Sequence, residues 1–338
     1  MTNLTNHQWV LASRPTAAVT VDNFAAAETA ISEPASGQIL IKVTHLSFDP
    51  SMRGQIAENP GYAAAVPIGG VMRSMAAGEV VASRHPDFRN GDRVTGMFGW
   101  QEYALAEPDE EALQLKKIPN GVTVEMALSV LNFTGLTAYF GMLSVGQPKP
   151  GDVVAVSGAA GATGSIAGQI AKIKGCQVIG IAGGAEKCGW LTGVAGFDAA
   201  IDYKNERVGR RLRALATNGI NIFYDNVGGE ILEAGLSNVA VGGRIVLCGA
   251  ISGYNSGGLP PAPRNYMALI WKSATMAGFM MNHFSEHYAE AGNQLAEWVR
   301  GGKLKFAVDM QEGFESVPAT LLRLFEGRNL GKQLCRIA

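Results

Sequence analysis

The chain has 338 residues, 47% of them hydrophobic and 17% charged, with a formal net charge of −1. This length suits two domains with ample core, and the composition excludes a disordered or fibrous chain. Near-neutral charge supplies no field to collect nucleic acid or anionic lipid, so neither is expected as a partner.

The opening MTNLTNHQWVLASRP lacks the basic start and apolar core of a secretory signal. No run approaches the apolar length of a membrane helix, so a cytoplasmic protein is expected. Up to about residue 120 the sequence is turn-rich and poor in helix signals. QILIKVTHLSFD (38–49) alternates as a strand does, and GEVVAS, DRVTGMF and QEYALAE add short strands between Pro, Gly and Asn turns. From about residue 122 the texture changes. VEMALSVLNFTGLTAYFGMLSVG reads as helical segments leading into the strand VVAVS (153–157), after which strand and helix signals alternate. QVIGIAG (177–183) is a strand, followed by a helix from Glu186 towards Ala195. Then come AAIDY, a helix over ERVGRRLRALAT, the strand INIFYD (220–225), a helix over EILEAGLSNVA and the strand RIVLCG (244–249). Apolar strands in such a series predict a parallel sheet with helices on both faces. TMAGF (275–279), a helix over HYAEAGNQLAEWVRGG, a further helix and the final strand KQLCRIA complete the chain.

SGAAGATGS (157–165) lies where a strand turns into a helix, with glycines at 158, 161 and 164. Residues without Cβ permit a tight turn, close approach of a ligand and close packing of helix on sheet. The free N–H groups of the helix start then suit a pyrophosphate. The spacing is G-x-x-G-x-x-G, looser than the dinucleotide fingerprint, and no GKS or GKT ending points to a nucleotide triphosphatase. NAD enzymes place a carboxylate at the end of the next strand. Here that strand runs into GGAEKC, with no acidic residue between Gly175 and Ala185 and with Lys187 following. A lysine pairs with a 2′-phosphate, so NADPH is expected, with Glu186 a first-turn carboxylate facing away.

Cys176, Cys188, Cys248 and Cys335 are dispersed, and HFSEH (283–287) matches a zinc-peptidase string only at a position where a cap segment is the simpler reading. No metal is expected.

The size, two-part texture and glycine stretch resemble the medium-chain dehydrogenase/reductase superfamily. The zinc enzymes of that superfamily need a first-domain cysteine and a GHE segment, whereas this chain has no cysteine before residue 176 and has GGVM at 69–72. The blocks WVLASRP, LSFDPSMRG, IGGVM, GDRVTG, TGLTAYFG, GAAGATGS, GIAGGAEKC, YDNVGGE, CGAISGYN and GRNLGK, in this order, resemble the zinc-independent, NADPH-dependent alkenal/one oxidoreductases. The resemblance implies a GroES-like, β-rich substrate domain over 1–128, a doubly wound Rossmann-type NADPH-binding domain over 129–304 and a return to the substrate domain over 305–338.

By the same resemblance, Gly161, Ala162, Thr163 and Gly164 wrap the pyrophosphate, and Lys187 and Tyr203 hold the 2′-phosphate. Asn226 contacts the cofactor. Cys248, Gly249, Ala250, Ile251, Ser252 and Tyr254 form a loop over its ribose and nicotinamide, joined by Gly278 and Phe279 and by Asn329 from the C-terminal segment. Cys248 is matched by position only, and a buried structural thiol is its plainer reading. Tyr254 is the candidate catalytic residue, with capping of its own loop as the alternative. Tyr62 either donates to substrate or lines the pocket. Met52 and Arg53 shape the substrate pocket, or Arg53 locks its domain through a salt bridge. The implied reaction is NADPH-dependent reduction of the double bond of an α,β-unsaturated ketone or aldehyde by a homodimer. A quinone reductase and a non-enzymatic NADPH-binding protein are the alternatives. RSMAAGEV lacks a glycine pair frequent after GGVM, WLTGVAGFD is one residue longer than in the mammalian enzymes, and ENPGYAAAV (58–66) falls in a region that varies with substrate.

Overall fold

The structure is a computed structural model that describes residues 5–58, 64–255 and 261–338. It divides into two units, Met1–Leu128 with Val308–Ala338, and Ser129–Ala307.

The first unit is made mainly of strands. β1 (Thr5–Leu11) and β2 (Phe24–Ala30) pair antiparallel, with Thr5 opposite Ala30 and Leu11 opposite Phe24. This hairpin is not among the expected strands, because FAAAETA offers little apolar alternation to detect. β3 (Ile39–Ser47) follows, then α1 (Met52–Gln55), β4 (Ala76–Ser83), β5 (Arg93–Gly96), β6 (Tyr103–Ala106), β7 (Lys116–Lys117) and α2 (Val124–Leu128). Alternation in β3 sends Ile39, Ile41 and Val43 into the core and leaves Lys42 outside. They pack there with Leu11, Phe24, Phe48 and Trp100. Full burial of side chains this size contributes about 1.5–3 kcal/mol each.

The second unit begins with α3 (Phe133–Phe140) and runs through β8 (Val153–Ser157), α4 (Ala162–Ile173), β9 (Gln177–Ala182), α5 (Ala185–Gly193), β10 (Ala199–Asp202), α6 (Val208–Leu215) and β11 (Ile220–Asp225). It continues with α7 (Gly229–Ser237), β12 (Val239–Leu247), α8 (Ile251–Tyr254), α9 (Ala268–Trp271), β13 (Thr275–Gly278) and α10 (Tyr288–Arg300). The six strands are parallel, in the order β10-β9-β8-β11-β12-β13. Val154, Ala155 and Val156 of β8 are fully buried, as a central strand covered on both faces requires. Strand order reverses between β8 and β11, the place where ligands settle in such sheets.

Helix limits differ from expectation in small, explicable ways. α7 stops at Ser237 because Asn238 turns the chain into β12, its Nδ2 donating to the Ala234 and Gly209 carbonyls. α6 starts only at Val208, since Glu206 is held outside it, its Oε1 accepting the Asp202 amide at 3.0 Å.

The chain then supplies β14 (Val308–Glu312), α11 (Val317–Phe325) and β15 (Lys332–Arg336) to the first unit. β14 is a further strand not expected. The seven-stranded sheet runs β14-β15-β3-β4-β5-β7, with β6 also on β3. Among the described residues no helix is long and apolar enough to cross a membrane.

Candidate cofactor and active site

The glycine stretch forms the turn between β8 and α4. Gly158 takes a left-handed φ of 57°, which admits a residue without Cβ at least cost, and its carbonyl accepts the Gly161 amide at 2.9 Å. A Cβ on Gly164 would lie 2.4 Å from that same carbonyl oxygen and 3.0 Å from the Ala159 Cα. Helix and turn are therefore in backbone contact. No side chain caps α4, so the N–H groups of its first turn, at Ala162, Thr163 and Gly164, point out of the sheet end as an anion site does. This tight glycine turn ahead of an uncapped helix start fits a dinucleotide pyrophosphate.

Beside it the ends of three strands are laced together. Ser157 closes β8 and Asp225 closes β11, and both are fully buried. The Ser157 hydroxyl donates to Asp225 Oδ1 at 2.6 Å and accepts the Asn226 amide at 2.8 Å. Asp225 Oδ1 also takes the Val227 amide at 3.2 Å, and Oδ2 takes the Gly228 amide at 3.0 Å. Asn226 Nδ2 donates to the Ser157 carbonyl at 2.7 Å. Burial pushes the Asp225 carboxyl above the usual carboxylate range, against the pull of the Ser157 hydroxyl and the two amides. The Asp225 carbonyl in turn accepts the Cys248 and Gly249 amides, bringing in the end of β12.

From there hangs the segment carrying Tyr254. Ile251 N donates to the Asn226 carbonyl, and Ser252 binds the Val227 carbonyl through its amide and, at 2.5 Å, its hydroxyl. The Tyr254 hydroxyl accepts the Ala250 amide at 3.0 Å while the residue stays 37% exposed. It thus closes its own loop. The Cys248 thiol is pushed up to about 12 by burial beside Tyr224, which suits packing and not reactivity. Phe279, just past β13, lies over Gly141, where a Cβ would come 2.5 Å from its ring and 2.6 Å from the Tyr224 hydroxyl. Gly278 has open space at its Cβ position.

Lys187 sits in the first turn of α5, half-buried. The ring of Tyr203 covers Gly183, at 2.9 Å from a Cβ built there. Asp202 secures this corner by accepting the amides of Gly184 at 2.8 Å and Lys204 at 3.1 Å, and these bonds hold its carboxyl below the usual range. Its other oxygen, Oδ2, accepts the Asn205 side-chain amide at 2.8 Å, so the Asp202 carboxylate is engaged by its own neighbourhood.

In the first unit Met52 is packed in the core, and Arg53 is buried with its Nη2 on the Ala17 carbonyl at 3.1 Å. The described partner of Arg53 is a carbonyl rather than the carboxylate of a salt bridge. Asn329 donates to the Gly331 carbonyl at 2.8 Å. Tyr62 lies outside the described residues. Sequence reading passed over Asp225 and Ser157. The available signal was a carboxylate ending the mostly apolar strand INIFYD, a group that burial obliges to find partners.

Two families match the chain: "N-terminal domain of oxidoreductase" over residues 7–124 and "Zinc-binding dehydrogenase" over residues 162–297. Among the described residues, no group of three His, Cys, Asp or Glu side chains could hold a metal ion. The NADPH-dependent curcumin reductase of Escherichia coli is 38% identical, covering 98% of this chain and 97% of that protein. A 2-alkenal reductase (NADP(+)-dependent) of Nicotiana tabacum is 35% identical over 90% of this chain and 88% of its own. The crystal structure of CurA from Vibrio vulnificus in complex with NADPH superposes with a TM-score of 0.92 at 38% identity, covering 98% of this chain and 99% of the other.

Proposed function

The chain belongs to the zinc-independent, NADPH-dependent oxidoreductases of the medium-chain dehydrogenase/reductase family, and from that premise we propose that it reduces the carbon–carbon double bond of α,β-unsaturated ketones and aldehydes. The single observation that carries the reading is the set of three laced strand ends beside a glycine cradle and an uncapped helix start. When bound, NADPH supplies the hydride that adds to the β carbon of the enone.

The chain's own residues hold and orient. The amides at the start of α4 take the pyrophosphate, and Lys187 with the Tyr203 phenol takes the 2′-phosphate. Asn226 and the segment from Cys248 to Tyr254 line the nicotinamide half, with Gly278 and Phe279 as further contacts. As charge develops on the substrate carbonyl oxygen, a positioned donor must meet it, and Tyr254 is the side chain we assign to support that donor. Its link to the Ala250 amide fixes where the phenol sits. Met52, Arg53 and Tyr62 belong to the unit we assign to substrate, Met52 and Arg53 acting there as buried scaffold.

We also propose a homodimer formed through the β13 edge of the six-stranded sheet. Support comes from Trp271 and Val241, each 75% exposed, and Ile270, 67% exposed, beside that edge strand. Four free cysteines fit a reducing, cytoplasmic compartment.

The test is an NADPH-oxidation screen over enones, alkenals, quinones and simple alcohols, with products identified by mass. Saturated ketones and aldehydes are expected. Recovery of an unsaturated alcohol would mean attack at the carbonyl and would overturn the assignment.

A further inference from the structure

We infer that Asp225 is a positioning residue for the nicotinamide half of the cofactor, its buried carboxylate holding the ends of β8, β11 and β12 in one arrangement. The inference rests on the cofactor reading above and names a residue that the family blocks leave without a role. Asp225 is fully buried and bonded to backbone amides and the Ser157 hydroxyl, so its influence runs through the backbone it orders.

Both carboxyl oxygens are committed as acceptors. Oδ1 accepts the Ser157 hydroxyl and the Val227 amide, and Oδ2 accepts the Gly228 amide. Both oxygens therefore face a backbone N–H that cannot reverse its direction. The Gly228–Gly229 turn held this way has φ of 75° and 55°, a pair of left-handed residues that needs its amides pinned. The Asp225, Asn226 and Val227 carbonyls then carry the amides of Cys248, Gly249, Ile251 and Ser252. A displacement at Asp225 is passed to both the turn after β11 and the segment bearing Tyr254. Lys187 and Tyr203 stand after β9 and β10, on the far side of β8, and share none of these bonds.

Asp225→Asn nearly preserves volume but replaces one acceptor with an NH2 donor. Either orientation of that amide sets a donor against the Val227 or the Gly228 N–H. Ser157→Ala is the milder change, because it leaves both of those amides paired.

The experiment is a calorimetric titration of the whole protein and both variants with NADPH, and separately with 2′,5′-ADP, which carries the 2′-phosphate but no nicotinamide. For Asp225→Asn the NADPH dissociation constant should rise about tenfold or more, the equivalent of one lost buried hydrogen bond, while that for 2′,5′-ADP stays within about twofold. Ser157→Ala should shift NADPH in the same direction by about threefold, again sparing 2′,5′-ADP, and it carries the test if Asp225→Asn does not fold. Unchanged NADPH affinity overturns the inference, as does equal weakening of both ligands, which would mark a general loosening of the fold. A wild-type chain that binds no NADPH refutes the cofactor reading itself. No enone enters the titration, so the result is separable from the identity of the substrate.

Discussion

Substituting Gly164 with Ala tests the cradle at its tightest point. The added Cβ would sit 2.4 Å from the Gly158 carbonyl oxygen and 3.0 Å from the Ala159 Cα. Ordinary C···O contacts begin near ~3.3 Å, so the first turn of α4 and the Gly158 peptide must separate by about 1 Å. Both obstacles are backbone, and no side chain can swing away to relieve them. Overpacking of this kind costs about 1–3 kcal/mol, and the ~1 kcal/mol that Ala gains over Gly within a helix only partly offsets it. A shift of about 1 Å also carries an amide out of the ~2.7–3.2 Å window for a hydrogen bond to phosphate. Each charge-assisted bond lost weakens NADPH by roughly 1.5–3 kcal/mol, or about 10–100-fold. Thermal melts and NADPH titrations should therefore show Gly164→Ala melting lower and binding at least ~10-fold more weakly. Gly161→Ala is the comparison. Its φ is −81°, and its Cβ meets only the Gly158 oxygen, at 3.2 Å, so the melt should be nearly unchanged while NADPH weakens through loss of the open face. Gly189→Ala in α5 is the control, since its Cβ meets nothing within 4 Å and should add about 0.5–1 kcal/mol of stability. Wild-type melting and wild-type NADPH affinity in Gly164→Ala would refute the reasoning.

Lys187→Ala should raise the Michaelis constant for NADPH about 10–100-fold and that for NADH little, and equal effects would remove Lys187 from the phosphate. Tyr254→Phe should keep the fold and NADPH binding yet lower enone turnover by roughly 10–100-fold, somewhat less than loss of a direct oxyanion donor, and steady-state kinetics at saturating cofactor decide it. Trp271→Asp should keep the far-UV circular dichroism of the wild type but give a monomer in light scattering, and a persisting dimer would relocate the interface. Burial raises the Cys176 thiol to about 11 and the Cys248 thiol to about 12, and it raises Cys188 and Cys335 as well. Thiols stay protonated below their pKa and only the thiolate attacks, so iodoacetamide should label the native protein slowly near neutral pH and faster as pH climbs towards those values. One rapidly labelled cysteine at neutral pH would contradict this. The same protection would spare an enone reductase from addition of its own substrates.

What the sequence determined by itself is whatever a local stretch must satisfy. VVAVS, QVIGIA and INIFYD are mostly apolar because both faces of a parallel strand are covered, and that mark is written in consecutive residues. The glycines at 158 and 164 are legible for the same reason, since turn and helix lie within one short span. The first unit's β3 was readable from its alternation, whereas β1, β2 and β14 were not. Their register is set by partners, such as Leu11 facing Phe24 and Val308 facing Lys332, and not by their own pattern. The candidate site divides in the same way. Lys187 and Tyr254 stand in recognisable blocks, but Asp225 becomes important only because Ser157, 68 residues earlier, ends the neighbouring strand. Gly168 is likewise an ordinary helix residue until Phe197 is placed 2.0 Å from where its Cβ would be. Hydrogen bonds and packing between strand ends join residues remote in sequence, and such a partner leaves no imprint on the residues beside it. Tertiary structure alone decided which carboxylate is buried, and therefore which amides it holds.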